Sequence, residues 1–199
     1  MMFYLSEKIQ PMNASLEKKW TWQEFRNLEF EEVEHTIYEL FNGTIVKRTI
    51  PSLTHQRVSR HLTFFLGNFL LENPLGEFFE APTDVALGGE SGVVPDISYV
   101  SAARSHICEG DDYINGTPDL IMEIISPGYI RRDRVEKKEL YEKYAVKEYW
   151  IIDPYTKSVE IYVMRDDRYA EHQFLEKGEG IAISTVIPGF TLEISQLFG

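Results

Sequence analysis

Pro118-Asp119-Leu120-Ile121-Met122-Glu123-Ile124-Ile125-Ser126-Pro127 is the stretch on which the reading of the fold turns. Its apolar run does not alternate with polar residues, so it predicts a central strand buried on both faces, ended by Ser126-Pro127-Gly128. In an extended strand Asp119, Ile121, Glu123 and Ile125 point one way and Leu120, Met122 and Ile124 the other. Glu123 therefore sits as a carboxylate inside an apolar run, which is costly unless the acid is paired or bound to a metal. Spacing alone leaves both open: a metal ligand, or a buried Glu satisfied by an arginine or the backbone.

Downstream, residues 132–144 read as helical, with Leu140, Tyr141 and Tyr144 as packing positions. Positions 133, 137, 140/141 and 144 fall along one face. If that face lies beside the Glu123 strand, the Lys137 ammonium approaches the carboxylate. Asp133 and Lys137 also form an i,i+4 ion pair of the favourable orientation, which accounts for them without any site. Upstream, residues 93–100 read as another strand with one acid, Asp96, after Pro95. Two such acids on neighbouring strands make an oxygen-rich site of the kind that holds magnesium with waters and substrate phosphate. Residues 148–153 form a further predicted strand, returning through a turn at 153–156 into a strand at 158–164.

The N-terminal half supplies simpler signals. Thr21-Trp22-Gln23-Glu24 is a capping box that opens a short helix to about Leu28, followed by an acidic stretch at 29–34. Residues 36–48 read as a hairpin turning at Asn42-Gly43. Pro51-Ser52 leads into a helix whose stripe is Val58, Leu62, Phe65, Leu66 and Phe69, ended by Asn73-Pro74. Residues 76–87 suggest one strand, residues 101–116 a helical turn and a loop, and residues 168–198 short strands separated by glycines. Strand–helix–strand order with flanking hairpins makes the fold class α/β with antiparallel additions. The expected organisation is a tail at 1–19 and one domain at 20–199.

Composition narrows the function. The 199 residues carry a formal charge of −12, which counts against a general nucleic-acid coating protein but is compatible with a carboxylate-rich metal site. Cys108 is the only cysteine, so neither an intrachain disulfide nor a cysteine-type zinc cluster can form, and a reducing cytoplasm fits. The densest apolar window, residues 64–71, is interrupted by Gly67 and Asn68 and is too short to span a bilayer, so no membrane is expected as a partner. Arg131, Arg132, Arg134, Lys137, Lys138 and Lys143 form a locally positive stretch against Asp133, Glu136, Glu139 and Glu142. That stretch reads either as a phosphate-facing edge or as a solvated mixed-charge helix.

In order, the chain carries Tyr38-Glu39-Leu40-x-x-Gly43, His55-Gln56, Pro95-Asp96, Glu123-x-x-Ser126-Pro127, Asp133-x-x-x-Lys137-x-x-x-Tyr141 and Glu148-Tyr149-Trp150-x-x-Asp153-Pro154. This series resembles a large bacterial family of restriction-endonuclease-like proteins within the PD-(D/E)XK nuclease superfamily. The resemblance implies a restriction-endonuclease-like fold, a mixed central sheet flanked by helices. It further implies a Mg2+-dependent (or Mn2+-dependent) DNA endonuclease in which Asp96 and Glu123 bind metal, the Ile124 carbonyl and Glu39 add ligands, and Lys137 is catalytic. The simple motif places its lysine two residues after Glu123, where this chain has Ile125. Lys137 on the following helix takes that place, as it does in the family. His55, Gln56 and Tyr141 are candidates for supporting contacts, against the plainer readings of His55 as a capping or packing histidine and of Tyr141 as a packing residue. By analogy a homodimer is expected, with the Trp150 strand and the C-terminal hairpins as candidate interfaces. The rival expectation is a catalytically inactive binding or regulatory module on the same fold.

Overall fold

The structure, a computed structural model, describes residues 18–30, 36–49, 51–110 and 112–199. The tail expected at 1–19 falls outside them as far as residue 17, and so does the acidic stretch from 31 to 34. Helix α1 (Trp22–Arg26) starts where the capping box places it. Thr21 Oγ1 accepts from Glu24 N–H, and the Glu24 carboxylate accepts from Thr21 N–H at 2.9 Å. Trp22 and Phe25 are its buried residues, and Trp22 lies flat on Gly92, where any Cβ would collide with the indole.

Strands β1 (Thr36–Phe41) and β2 (Thr44–Thr49) form the predicted hairpin. Asn42 and Gly43 both take positive φ, +47° and +77°, as a two-residue turn with matching twist requires. Helix α2 (Leu53–Glu72) is capped by Ser52, whose side chain accepts from His55 N–H, and it buries His55, Val58, Leu62, Leu66 and Leu70. Phe65 and Phe69, expected on the same stripe, are partly buried at its edge.

Two stretches predicted as single strands are each cut in two. Residues 76–87 divide into β3 (Gly76–Glu80) and β4 (Val85–Gly88), with Pro82 between them. Residues 93–100 divide into β5 (Ser91–Val93) and β6 (Ile97–Ser101) around Pro95-Asp96. Proline lacks the N–H that a ladder needs, so at both places the chain leaves one sheet and enters the other. A 3-10 turn (Ala102–Cys108) and β7 (Ile114–Asn115) lead to β8 (Leu120–Ile124), fully buried as predicted. The following helical segment has a widened π turn at Arg132–Lys137 before α3 (Lys138–Lys143). Then come β9 (Glu148–Asp153), β10 (Ser158–Arg165), β11 (Arg168–Leu175), β12 (Ile181–Ile183), β13 (Thr191–Glu193) and α4 (Ser195–Phe198).

The class is α/β with two mixed sheets and added antiparallel hairpins. One sheet runs β2-β1-β5-β4-β7, the other β11-β10-β9-β8-β6-β3, and β12-β13 form a small pair. β8 is interior, antiparallel to β6 and parallel to β9. Its two faces serve different layers. Leu120, Met122 and Ile124 pack with the α2 stripe, Trp150 and Phe190, whereas Ile121 and Ile125 pack with Leu140, Tyr141 and Tyr149. The alternation therefore aims Glu123 at the Arg132–Lys143 segment. The strand of Trp150 is no interface: β9 lies between β8 and β10, and Trp150 is fully buried, its indole N–H donating to Glu148. No helix among the described residues is long and apolar enough to cross a membrane.

Asp119, at the entry to β8, ties this centre to its surroundings. It accepts from Ser101 N–H and Oγ, from Arg104 at 3.1 Å and from Lys147 at 2.6 Å. Burial alone pushes its carboxyl up, but the bonds from Lys147, Ser101 and Arg104 outweigh that and hold it at about 2. Its stabilising contribution is present above the ordinary 3.8 and is lost as pH falls toward 2. Lys147 is half exposed, so screening limits the contribution to about 1–2 kcal/mol. We expect Asp119→Asn to lower stability by about 1–2 kcal/mol at neutral pH, and the difference to vanish near pH 2. Urea unfolding across that range checks it.

Candidate active site

The candidate site lies at the seam of the two sheets and draws on elements from both. β1 contributes Glu39 and β2 contributes Arg48; the β5–β6 crossing contributes Asp96, and β8 contributes Glu123. The N-terminus of α2 supplies His55, and the helical segment after β8 supplies Arg132, Asp133, Lys137 and Tyr141. Glu39, Asp96, Glu123, Asp133 and Lys137 are all at most 5 % exposed. Four carboxylates held this far from water need counter-charges, because an unpaired buried ion costs several kcal/mol.

Each carboxylate is held through defined atoms. Asp96 Oδ2 accepts from the Ile124 N–H at 2.8 Å and faces His55 Nε2 at 2.9 Å, so His55 carries a proton on Nε2. Glu123 Oε1 accepts from Lys137 Nζ and from the Tyr141 hydroxyl, both at 2.6 Å. The second oxygens are held loosely, and by one side chain. The Arg48 guanidinium donates to the Val94 carbonyl at 3.1 Å, makes a long hydrogen bond to Asp96 Oδ1 at 3.5 Å and lies 3.7 Å from Glu123 Oε2. Asp96 Oδ1 and Glu123 Oε2 thus share one neighbouring cation, Arg48, at distances longer than an ordinary hydrogen bond.

The electrostatics follow from this geometry. Burial pushes the Glu123 carboxyl up to about 7; Asp96 and Asp133 add to the rise, while Lys137 and Arg48 oppose it. Burial also pushes Asp96 up, but its His55 bond and the charges of His55, Arg48 and Lys137 leave it below its ordinary value. Burial would lower the Lys137 ammonium, yet Glu123 and Glu39 more than compensate, so it is raised and stays protonated. Burial and the Glu123 charge raise Tyr141 well above the usual range, keeping it a donor.

The structure brings together Glu39, His55, Asp96, Glu123, Ile124, Lys137 and Tyr141. Gln56 is not among them: it follows His55 on α2, is rotated about 100° from it and is exposed. Glu39 enters the cluster but does not offer itself to a metal, because both its oxygens are taken. Oε1 accepts from Val94 N–H at 3.0 Å and lies 3.7 Å from Lys137, and Oε2 accepts from Arg132 at 2.5 Å. It is a counter-charge that positions the two cations. Lys137 leans on Glu123 more closely than on Asp133, which is 3.9 Å away. The positive stretch does not form a continuous phosphate-facing edge. Arg132 and Lys137 turn inward, Arg134 pairs with Asp153 and Glu160, and Lys138 lies over the Tyr162 ring.

Arg48 is the residue that sequence reasoning overlooked. A two-residue turn at Asn42-Gly43 fixes the register Glu39↔Val46 and Ile37↔Arg48, so Arg48 lies diagonally across the hairpin on the same face as Glu39. That much was available from the turn. Beside Arg48 a narrow cleft of about 10 Å³, room for roughly one water, is lined by Thr49, His55, Ile124, Ser126, Tyr129, Arg132 and Asp133. Among the described residues no three His, Cys, Asp or Glu side chains gather as a metal cage. The hard oxygens on hand are those of Asp96, bonded to the Ile124 N–H, and of Glu123. Carboxylate oxygens in so small a number are the donor chemistry that suits a cation keeping several waters.

Residues 22–195 match the Uma2 family, described as "Putative restriction endonuclease". The crystal structure of a putative nuclease belonging to DUF820 from Anabaena variabilis superposes with a TM-score of 0.73 at 21% identity, covering 89% of this chain and 97% of that one. At that identity the likeness speaks to the fold. No curated protein matches the chain. Because the match runs through nearly all the described residues and contains every member of the buried cluster, the chain belongs to the Uma2 family of restriction-endonuclease-type proteins.

Proposed function

We propose that the chain is a Mg2+-dependent DNA endonuclease, with Mn2+ as an alternative ion, that hydrolyses phosphodiester bonds. Asp96 and Glu123 would hold the ion, with the Ile124 carbonyl as a further ligand, and Lys137 would be the catalytic cation. The observation that carries this reading is the meeting of Asp96 and Glu123 at one guanidinium, each through an oxygen approached no closer than 3.5 Å, with Lys137 on the other oxygen of Glu123. Membership of a family described as restriction endonucleases supports the same chemistry. A bound Mg2+ supplies a Lewis acid for the phosphodiester and lowers the pKa of a water.

The chain's own residues fix everything around that position. His55 and the Ile124 N–H hold Asp96 by one oxygen, and Lys137 and Tyr141 hold Glu123 by one oxygen, so the remaining oxygens cannot rotate away. Lys137 is fully buried with a raised pKa, so it keeps its proton and cannot serve as a general base. Its part is to donate to the attacking water or to charge developing on the phosphate. Cutting both strands of a duplex calls for two such sites, so a homodimer is the proposed functional unit.

Incubation with duplex DNA, single-stranded DNA and RNA, in Mg2+ and in Mn2+, tests the reading. D96N and K137M should each cut the rate by about 10²–10³, while Q56A should leave it unchanged. A wild-type protein that binds Mn2+ yet cleaves none of these substrates would leave the inactive binding module as the better reading. The acid–base state of the site gives a second check. A proton on Glu123 competes with the cation, and its folded value is about 7. Mn2+ affinity measured by calorimetry should therefore fall about tenfold per pH unit below 7 and level off above it; an affinity flat from pH 5 to 8 would contradict this.

A further inference from the structure

We propose that Arg48 is the resident counter-ion of the Asp96–Glu123 pair, an internal cation that a divalent ion must displace from between the two carboxylates. This rests on the metal-binding reading above and adds to it a residue that sets how tightly, and in what state, the site takes its ion.

Three observations point the same way. First, Arg48 reaches both loosely held oxygens but bonds neither well: its contacts are 3.5 and 3.7 Å, against about 2.7–2.9 Å for a charge-assisted hydrogen bond. It neutralises chiefly by proximity, through a long bond to Asp96 and a looser ion pair to Glu123. Second, Arg48 can move and Lys137 cannot. Lys137 is fully buried and bonded to Glu123 at 2.6 Å. Arg48 stands near the end of β2, the outermost strand of its sheet; its side chain is 11% exposed, lines the cleft and is tied by an ordinary bond to the Val94 carbonyl and a long one to Asp96. Third, the charges favour exchange. Glu39, Asp96, Glu123 and Asp133 face Arg48, Arg132 and Lys137, with His55 as a further partner of Asp96. A divalent ion added with Arg48 in place sets two cations against each other between Asp96 and Glu123, and withdrawal of Arg48 relieves that repulsion.

Once displaced, the Arg48 guanidinium remains beside the cleft that Arg132, Ser126 and Tyr129 also line. There its planar donors suit a phosphate oxygen. The same side chain thus holds the carboxylate pair together without the ion and becomes available to the substrate with it.

Calorimetric titration of Mn2+ at pH 8 into wild type, R48M and D96N tests this, with thermal unfolding in EDTA alongside. R48M should bind Mn2+ roughly tenfold or more tightly than wild type while melting lower in EDTA, and D96N should bind weakly or not at all. Equal or weaker binding by R48M, with D96N still impaired, overturns the proposal and leaves the metal site standing. Absence of binding by wild type and R48M alike removes the metal-binding reading and this proposal with it. If R48M does not fold, the wild type carries the test through the Arg48 Nε–H resonance, identified by its loss in R48K. Mg2+ should shift that resonance, and an unmoved signal at saturating Mg2+ overturns the proposal.

Discussion

The burial of four carboxylates at one seam is the constraint around which this structure is arranged. Glu39, Asp96, Glu123 and Asp133 are almost completely removed from water, a state that no sequence sustains unless counter-charges arrive from elsewhere in the chain. They arrive from a hairpin (Arg48) and from a helix (Arg132 and Lys137), with His55 and Tyr141 as further partners. Elements from both sheets must therefore dock before any of these charges is satisfied. The cluster ties the two sheets together electrostatically where the apolar core ties them by packing.

Local backbone breaks make that docking possible. Pro95-Asp96 ends one strand and begins another, and the break frees Asp96 to accept from the Ile124 N–H of the neighbouring strand. The widened turn at Arg132–Lys137 has a matching use. Asp133, Lys137 and Tyr141 all face inward, and the Tyr149 hydroxyl donates to the Asp133 carbonyl. π turns concentrate at functional sites because the wider turn re-aims side chains and exposes a carbonyl. Both irregularities lie within the family match and beside the proposed ion-binding oxygens.

A good part of this was legible in the chain. The capping box at Thr21, the turn at Asn42-Gly43 and the stripe of α2 are local signals, and local signals depend on neighbouring residues alone. The apolar run around Glu123 marked β8 as central, and its alternation set which face Glu123 occupies. The division of the strands at Pro82 and Pro95 was not foreseen. A break and a bulge look alike in sequence, and only pairing partners distinguish them. Gln56 looked equivalent to His55 because adjacency in sequence hides the rotation between neighbouring helical residues.

The sequence by itself determined part of the inventory: that Asp96 and Glu123 would be acids inside apolar strands, that Lys137 would share a helix face with Tyr141, and that the series belongs with restriction-endonuclease-type chains. Tertiary structure decided how the charges pair. Glu39 serves Arg132 and Lys137, Lys137 serves Glu123 before Asp133, and Arg48 spans Asp96 and Glu123. The physical reason is that Coulomb attraction depends on distance and on the exclusion of water. Both are fixed only when β2, β8, the β5–β6 crossing and the Arg132–Lys143 segment close around the same point.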